Sequence, residues 1–357
     1  MGVRRGRSLL RPRPLVALLG LSLSVAALPG CFGPSEEEET RLSLYRENSV
    51  NYYDRGEYLA ALQQAGKALA IDPGLEPMQL VKGLCLLKLG QSQSNVVMIE
   101  ESRNTFEDLR SRVMGPVDFR INFGLGSANL ARALEHDKEM DRIRKRLGSD
   151  FITEEGREEE EARLENEQEA RKECLERAET ALRTVIADER QKDNTYVLLD
   201  LVLVLNCDPG REDEALELAE RTLQLLQAES HQTQTNLSRN ARLSPTARID
   251  LQQRIANNDD KELALRDLVA TIHLRRGDTA AFLEQMRLLE ERGLIGEVQY
   301  WNLAEVHEQL GMYDEAIGDL EAFLKLRTRR MSYDQDDRAP EVFRRMDELR
   351  DKARQAR

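Results

Sequence analysis

Tyr300-Trp301-Asn302-Leu303-Ala304-Glu305-Val306-His307 is followed by Gly311-Met312-Tyr313-Asp314-Glu315-Ala316-Ile317-Gly318-Asp319-Leu320. Tyr300, Leu303 and His307 recur at helical spacing, so they share one face of a helix. Gly311 permits a tight turn. Ala316 is small, so a second helix approaches the first closely. The stretch therefore predicts two helices packed against each other across a short turn. At the other end of the chain, Tyr45, Tyr52, Gly56, Tyr58, Ala61, Ala68 and Pro73 fall at the same relative offsets, with Asp72-Pro73 closing the unit. The segment departs from the first at Asn48, Ser49 and Ala65.

Similar pairs fill the space between. A second begins near Glu76, with Gly83 at its small-residue position and Gly90 at its turn, and a second helix over 94–114. Phe119 to Leu134 is an apolar helix containing Gly124, Gly126 and Ala128. Tyr196 to Asn206 reads as helix rather than buried strand, because Asp200 interrupts it and Asp208-Pro209-Gly210 turns into another amphipathic helix. Leu265 to Arg275, Gly277 and Ala280 to Leu289 form a further pair, and a charged helix over 340–357 caps the array.

These residues resemble the tetratricopeptide repeat (TPR) family, whose pattern is a large aromatic, Leu-Gly, Tyr, then Ala, a large residue and Pro. The resemblance implies an all-α, TPR-like α-solenoid of helix–turn–helix pairs. It also implies that the first helices of the pairs line a concave groove that holds peptides or helices of protein partners. By position, Arg46, Val50 and Tyr53 would face the groove from the first repeat, and Trp301, Glu305 and Glu308 from the last. Trp301 either turns outward as a binding anchor or packs on the capping helix. The Lys and Asn with which some members grip a terminal carboxylate are replaced here by Arg46 and Val50.

Arg4, Arg5, Arg7, Arg11 and Arg13 precede an apolar run from Leu15 to Leu28. This is the pattern of an export signal, and the run is shorter than the roughly 20 residues needed to span a bilayer. Leu28-Pro29-Gly30-Cys31 resembles the lipobox of bacterial lipoproteins, with Pro29 an unusual residue at its place. The resemblance implies cleavage before Cys31 and acylation of that cysteine. Several acyl chains anchor firmly, at about 0.8 kcal/mol per buried CH2. With Phe32 rather than Asp after the cysteine, the same resemblance implies the periplasmic face of the outer membrane.

The expected organisation is a signal peptide over 1–30 and an acylated Cys31 with a flexible tether over 31–40. An N-terminal array over 41–228 carries an acidic insertion near 150–171. A flexible connection over 229–248, rich in Gln, Thr, Asn and Ser, leads to C-terminal repeats and the capping helix over 249–357.

The chain has 357 residues with 52 Lys and Arg against 65 Asp and Glu, a net charge of −13. Loss of the five signal arginines takes it to −18, which disfavours nucleic acid and anionic lipid as partners. No HExxH, GxSxG or phosphate-binding GxxxxGK[ST] is present, and no cofactor or metal is implied. Gly124-Leu125-Gly126 follows a helical pattern, so close helix packing explains it better than a dinucleotide loop. Cys85, Cys174 and Cys207 form no CxxC, and allow at most one bridge in an oxidising space. The functional expectation is a non-enzymatic, membrane-anchored scaffold for an envelope protein complex: barrel, secretin, pilus or cell-wall machinery. The alternative is a small-ligand or glycan receptor, which needs a compact pocket with convergent polar groups, for example near Trp301. An enzyme would need titrating groups converging in a cleft.

Overall fold

The computed structural model describes residues 35–113, 115–149, 152–240, 243–328 and 338–356. The signal, Cys31 and residues 32–34 lie outside them. The described residues form thirteen α-helices and no strand: α1 (Glu36–Asp54), α2 (Tyr58–Ile71), α3 (Glu76–Gln93), α4 (Val96–Arg112), α5 (Phe119–Leu147), α6 (Glu154–Ile186), α7 (Thr195–Asn206), α8 (Glu212–Arg239), α9 (Pro245–Arg275), α10 (Thr279–Glu291), α11 (Glu297–Gln309), α12 (Tyr313–Thr328) and α13 (Ala339–Ala356). Successive helices pair as six hairpins, and α13 closes the end. The fold is an all-α, TPR-like solenoid.

Local chemistry sets the boundaries. Ser35 accepts from the Glu38 amide while Glu38 reaches back to Ser35, a capping box that starts α1 at Glu36. The tether expected over 31–40 is thus helical from Glu36 onward. Its glutamates occupy the first turn, where the helix dipole favours negative charge. Gly56 and Gly311 take φ of 77° and 75° at the turns of the first and last hairpins. L side chains rarely adopt that region. In the second hairpin Ser94 takes the left-handed position instead, at φ 48°. Gly90, expected at this turn, lies inside α3 with Ile99 packed against it.

The connection expected over 229–248 is also largely helical. α8 continues to Arg239, and Ser244 caps α9 with Pro245 in its first turn. α5 and α6 likewise outrun a repeat. From Glu154 onward the acidic segment expected near 150–171 forms the first half of α6, where Glu160 engages Arg146 and Arg163, and Arg171 pairs with Asp137 at 2.6 Å.

The core is a relay of apolar clusters, each shared by adjacent helices. One joins α1 to α3 around Ala61, Ala65 and Ala68. Another joins α3, α4, α5 and α6 around Phe106, and a large one runs from α5 to α9. Two more carry the packing from α9 to α11 and from α11 to α13. Small residues let the backbones close up. Ser49 and Ser102, both fully buried, donate to the Ala61 carbonyl at 3.0 Å and the Gly83 carbonyl at 2.8 Å. The departure at Ser49 therefore keeps the small size and adds a tie between α1 and α2. Phe106 presses its ring on Gly83 and Gly124, and Leu182 presses on Gly126. Cys85, Cys174 and Cys207 are free, and burial pushes the Cys85 thiol up to about 12.

α1 touches α3, α3 touches α5, α5 touches α7 and α7 touches α9, whereas the even-numbered helices meet chiefly their neighbours in sequence. Between α5 and α7 the Asp200 carboxyl is bonded by the Ser127 hydroxyl. Burial pushes this carboxyl above its ordinary range, and the Ser127 bond only partly opposes that.

Two outcomes are expected. Gly124→Ala drives a methyl into the Phe106 ring and lowers stability by about 1–3 kcal/mol, measured by urea unfolding. A carboxyl whose folded pKa is raised contributes most below its unfolded value and loses that contribution as pH rises through the folded one. The stability of Asp200→Asn relative to wild type should therefore rise with pH above the unfolded carboxyl range of about 4. A difference that is flat between pH 4 and pH 8 would contradict this.

Candidate functional site

The layer of odd-numbered helices carries a trough of about 470 Å³. The last turns of α1 contribute Val50 and Tyr53. The first half of α3 contributes Leu80, Val81 and Leu84, and α4 adds Leu109. The N-terminal turns of α5 and α7 complete it with Phe119, Ile121, Phe123 and Tyr196. Asp118 and Asn194 cap those two helices and so fix where the aromatic residues emerge. The Tyr53 and Tyr58 rings meet at 5.6 Å, and burial pushes the Tyr53 phenol above its ordinary range. The floor is apolar and the rim is charged. Arg120 holds the Asp118 carboxyl below the usual carboxylate range through a 2.6 Å ion pair. Asp54 and Glu76 also line the rim and have no ion-pair partner among the described residues.

Asn194 and Tyr196 also line a second, polar chamber of about 670 Å³ between α7, α8 and α9. Tyr196 is 51% exposed, so its ring forms the sill between the two spaces. Lys261 lies on the chamber side, its Nζ 3.5 Å from the Tyr196 ring centroid.

The sequence-expected residues divide. Val50 and Tyr53 line the trough. Arg46 is exposed on α1, away from the lining. Trp301 is not turned outward. It packs on Phe323 at 5.5 Å, and the Arg345 guanidinium of α13 sits 5.0 Å from its ring centroid. Glu308 pairs with Arg345 at 2.8 Å and Lys352 at 2.7 Å. Bonds from these two cations hold its carboxyl below the usual range. Glu305 is exposed, 4.0 Å from Arg345. The capping helix thus covers Trp301 and Glu308, the flank of α11 that the next repeat would otherwise cover. His307 likewise serves packing, with Nδ1 2.6 Å from Asp319 of α12. No group of three or more His, Cys, Asp or Glu among the described residues is placed to hold a metal.

Phe119, Phe123, Tyr196 and Lys261 were not singled out from sequence. Lys261 carries a signal nonetheless: it shares a helix face with Leu265, Leu268 and Val269, three core residues, so a charge stands in an apolar register.

No family model matches the chain, and no curated protein matches it. Solved structures do. A thermophilic TPR protein of Thermus thermophilus is 19% identical, covering 71% of this chain and 90% of that one, with a TM-score of 0.38. A tetratricopeptide repeat protein of Parabacteroides merdae is 13% identical, covering 87% and 98%, with a TM-score of 0.35. Yeast Tom70 is 12% identical, covering 87% and 69%, with a TM-score of 0.23.

Trp301→Ala is expected to loosen the C-terminal end by about 2 kcal/mol, below the range for a fully buried aromatic. Amide hydrogen exchange should speed up in α12 and α13 and stay unchanged in α3.

Proposed function

We propose that this chain is a protein-docking scaffold tethered to a bacterial envelope membrane through acylated Cys31. The observation that carries the docking half is the trough of α1, α3, α5 and α7. It offers an apolar floor framed by charge, the pattern of a surface that excludes water at its centre and keeps a polar rim. The anchoring half rests on the residues around Leu28-Pro29-Gly30-Cys31. Confinement to a membrane surface raises the effective concentration for partners on the same surface. The partner is another envelope protein, such as a component of barrel, secretin, pilus or cell-wall machinery. No helix among the described residues is long and apolar enough to cross a membrane. A trough of this size also falls in the range of small-molecule sites, but Asn194 and Tyr196 line both it and the neighbouring chamber, which favours a longer occupant.

The test places a photo-crosslinker at Val50 in full-length protein in native envelopes, with a control at Glu217 on the exposed side of α8. Val50 should trap one defined envelope protein and Glu217 none. Cys31→Ser should move the protein out of the membrane fraction. Equal capture at both positions would sink the docking reading, and unchanged partitioning would sink the anchor.

A further inference from the structure

Lys261 is a buried charge with no ion-pair partner among the described residues. It is 7% exposed, and lysine is almost never so buried unless paired. Its Nζ donates to Thr195 Oγ1 and to Asn258 Oδ1, both at 3.2 Å. No carboxylate of the described residues lies within ion-pair distance of it. Glu229 acts on it from farther off and instead accepts from Asn258 Nδ2 at 3.4 Å. Arg254, exposed two turns before Lys261 on α9, lines the same chamber and likewise has no ion-pair partner among the described residues. Both cations face a chamber whose own carboxylates are engaged elsewhere: Asp193 pairs with Arg221, and Glu229 accepts from Asn258.

The path that leads there is polarised. At its α1 and α3 end stand Asp54 and Glu76, also without ion-pair partners among the described residues. Its middle is the apolar floor, and its far end, past Tyr196, holds Lys261 and Arg254. The chamber continues along α9 from Lys261 to Leu251, ten residues or about 15 Å of helix. A chain bound at Lys261 therefore has room to run on.

We propose that trough and chamber together bind one extended peptide segment of the partner protein, basic at one end, apolar in the middle and acidic at the other, with an internal Asp or Glu side chain pairing with Lys261 and Arg254. This rests on the docking reading above and adds the chemistry of the bound segment. The acid is internal to the segment, because the chamber does not end at the lysine. The ammonium is already desolvated and positioned by Thr195, Asn258 and Tyr196. An incoming carboxylate meets a preorganised donor there, an arrangement that acts mainly on the off-rate.

The test selects displayed random 12-residue peptides, about 40 Å when extended, on the full-length protein. Fluorescence anisotropy then compares wild type, Lys261→Met and Val50→Arg. Met keeps the apolar stem of lysine and removes the charge. Enriched peptides should carry an acid on one side of an apolar core, and Lys261→Met should weaken them at least tenfold. Their acid-to-amide versions should bind wild type and Lys261→Met alike. Peptides that need Val50 but are indifferent to Lys261→Met would leave docking intact and overturn the charge pairing. So would peptides weakened by Lys261→Met whether or not they carry the acid, since that marks a structural role. If wild type retains no peptide, the docking reading itself fails, and this proposal with it. Should Lys261→Met not fold, Arg254→Glu, on an exposed turn, reads the same charge dependence.

Discussion

The spacing of α3 and α5 rests on one contact, the Phe106 ring held against a glycine of each. Gly83 of α3 and Gly124 of α5 both give way to it, so a single side chain from α4 sets how closely α3 and α5 lie. Leu80, Leu84, Ile121 and Phe123 hang from those same two helices on the trough side. The depth of the trough floor is therefore decided in the core beneath it. A packed interior resists compression, so the trough floor inherits rigidity without hydrogen bonds of its own. Gly126 and Leu182 repeat the device between α5 and α6.

The two ends of the array show how a solenoid treats its unmatched faces. At the N-terminus, Leu44 and Leu59 remain exposed. At the C-terminus, α13 covers the flank of α11 and engages it with ions as well as apolar contacts. A terminal element with a polar outer side is what such arrays require. It consumed the residues that position alone assigned to binding, Trp301 and Glu308.

Helix type, hairpin pairing and turn glycines were legible because each follows from local spacing. Gly56, Gly311, Ala61 and Ala316 mark the first and last hairpins directly. Val50 and Tyr53 line the trough, since a first helix shows its flank wherever its neighbours leave that flank open. Trp301 was ambiguous for a physical reason: the covering helix begins beyond a segment with no apolar period, so its docking partner could not be read from spacing. Gly90 misled because a glycine serves close packing as well as turns. The segment over 229–248 looked like a linker from composition, yet caps at both sides and apolar neighbours in the next turns draw its polar residues into α8 and α9. Tyr196 and Lys261 come together only in three dimensions, their neighbour pair Thr195 and Lys261 being separated by 66 residues of chain.

Each apolar cluster is shared only by helices that follow one another closely in the chain, so the effect of a substitution fades at the cluster boundary. Such an architecture tolerates unequal editing. Helices α5, α6, α8 and α9 exceed repeat length while the first and last hairpins keep their proportions. A fold organised this way can lose its sequence signature module by module and keep its shape. Divergence is then expected to be patchy along the chain, with α3 to α5 the slowest to change because three helices answer to one phenylalanine.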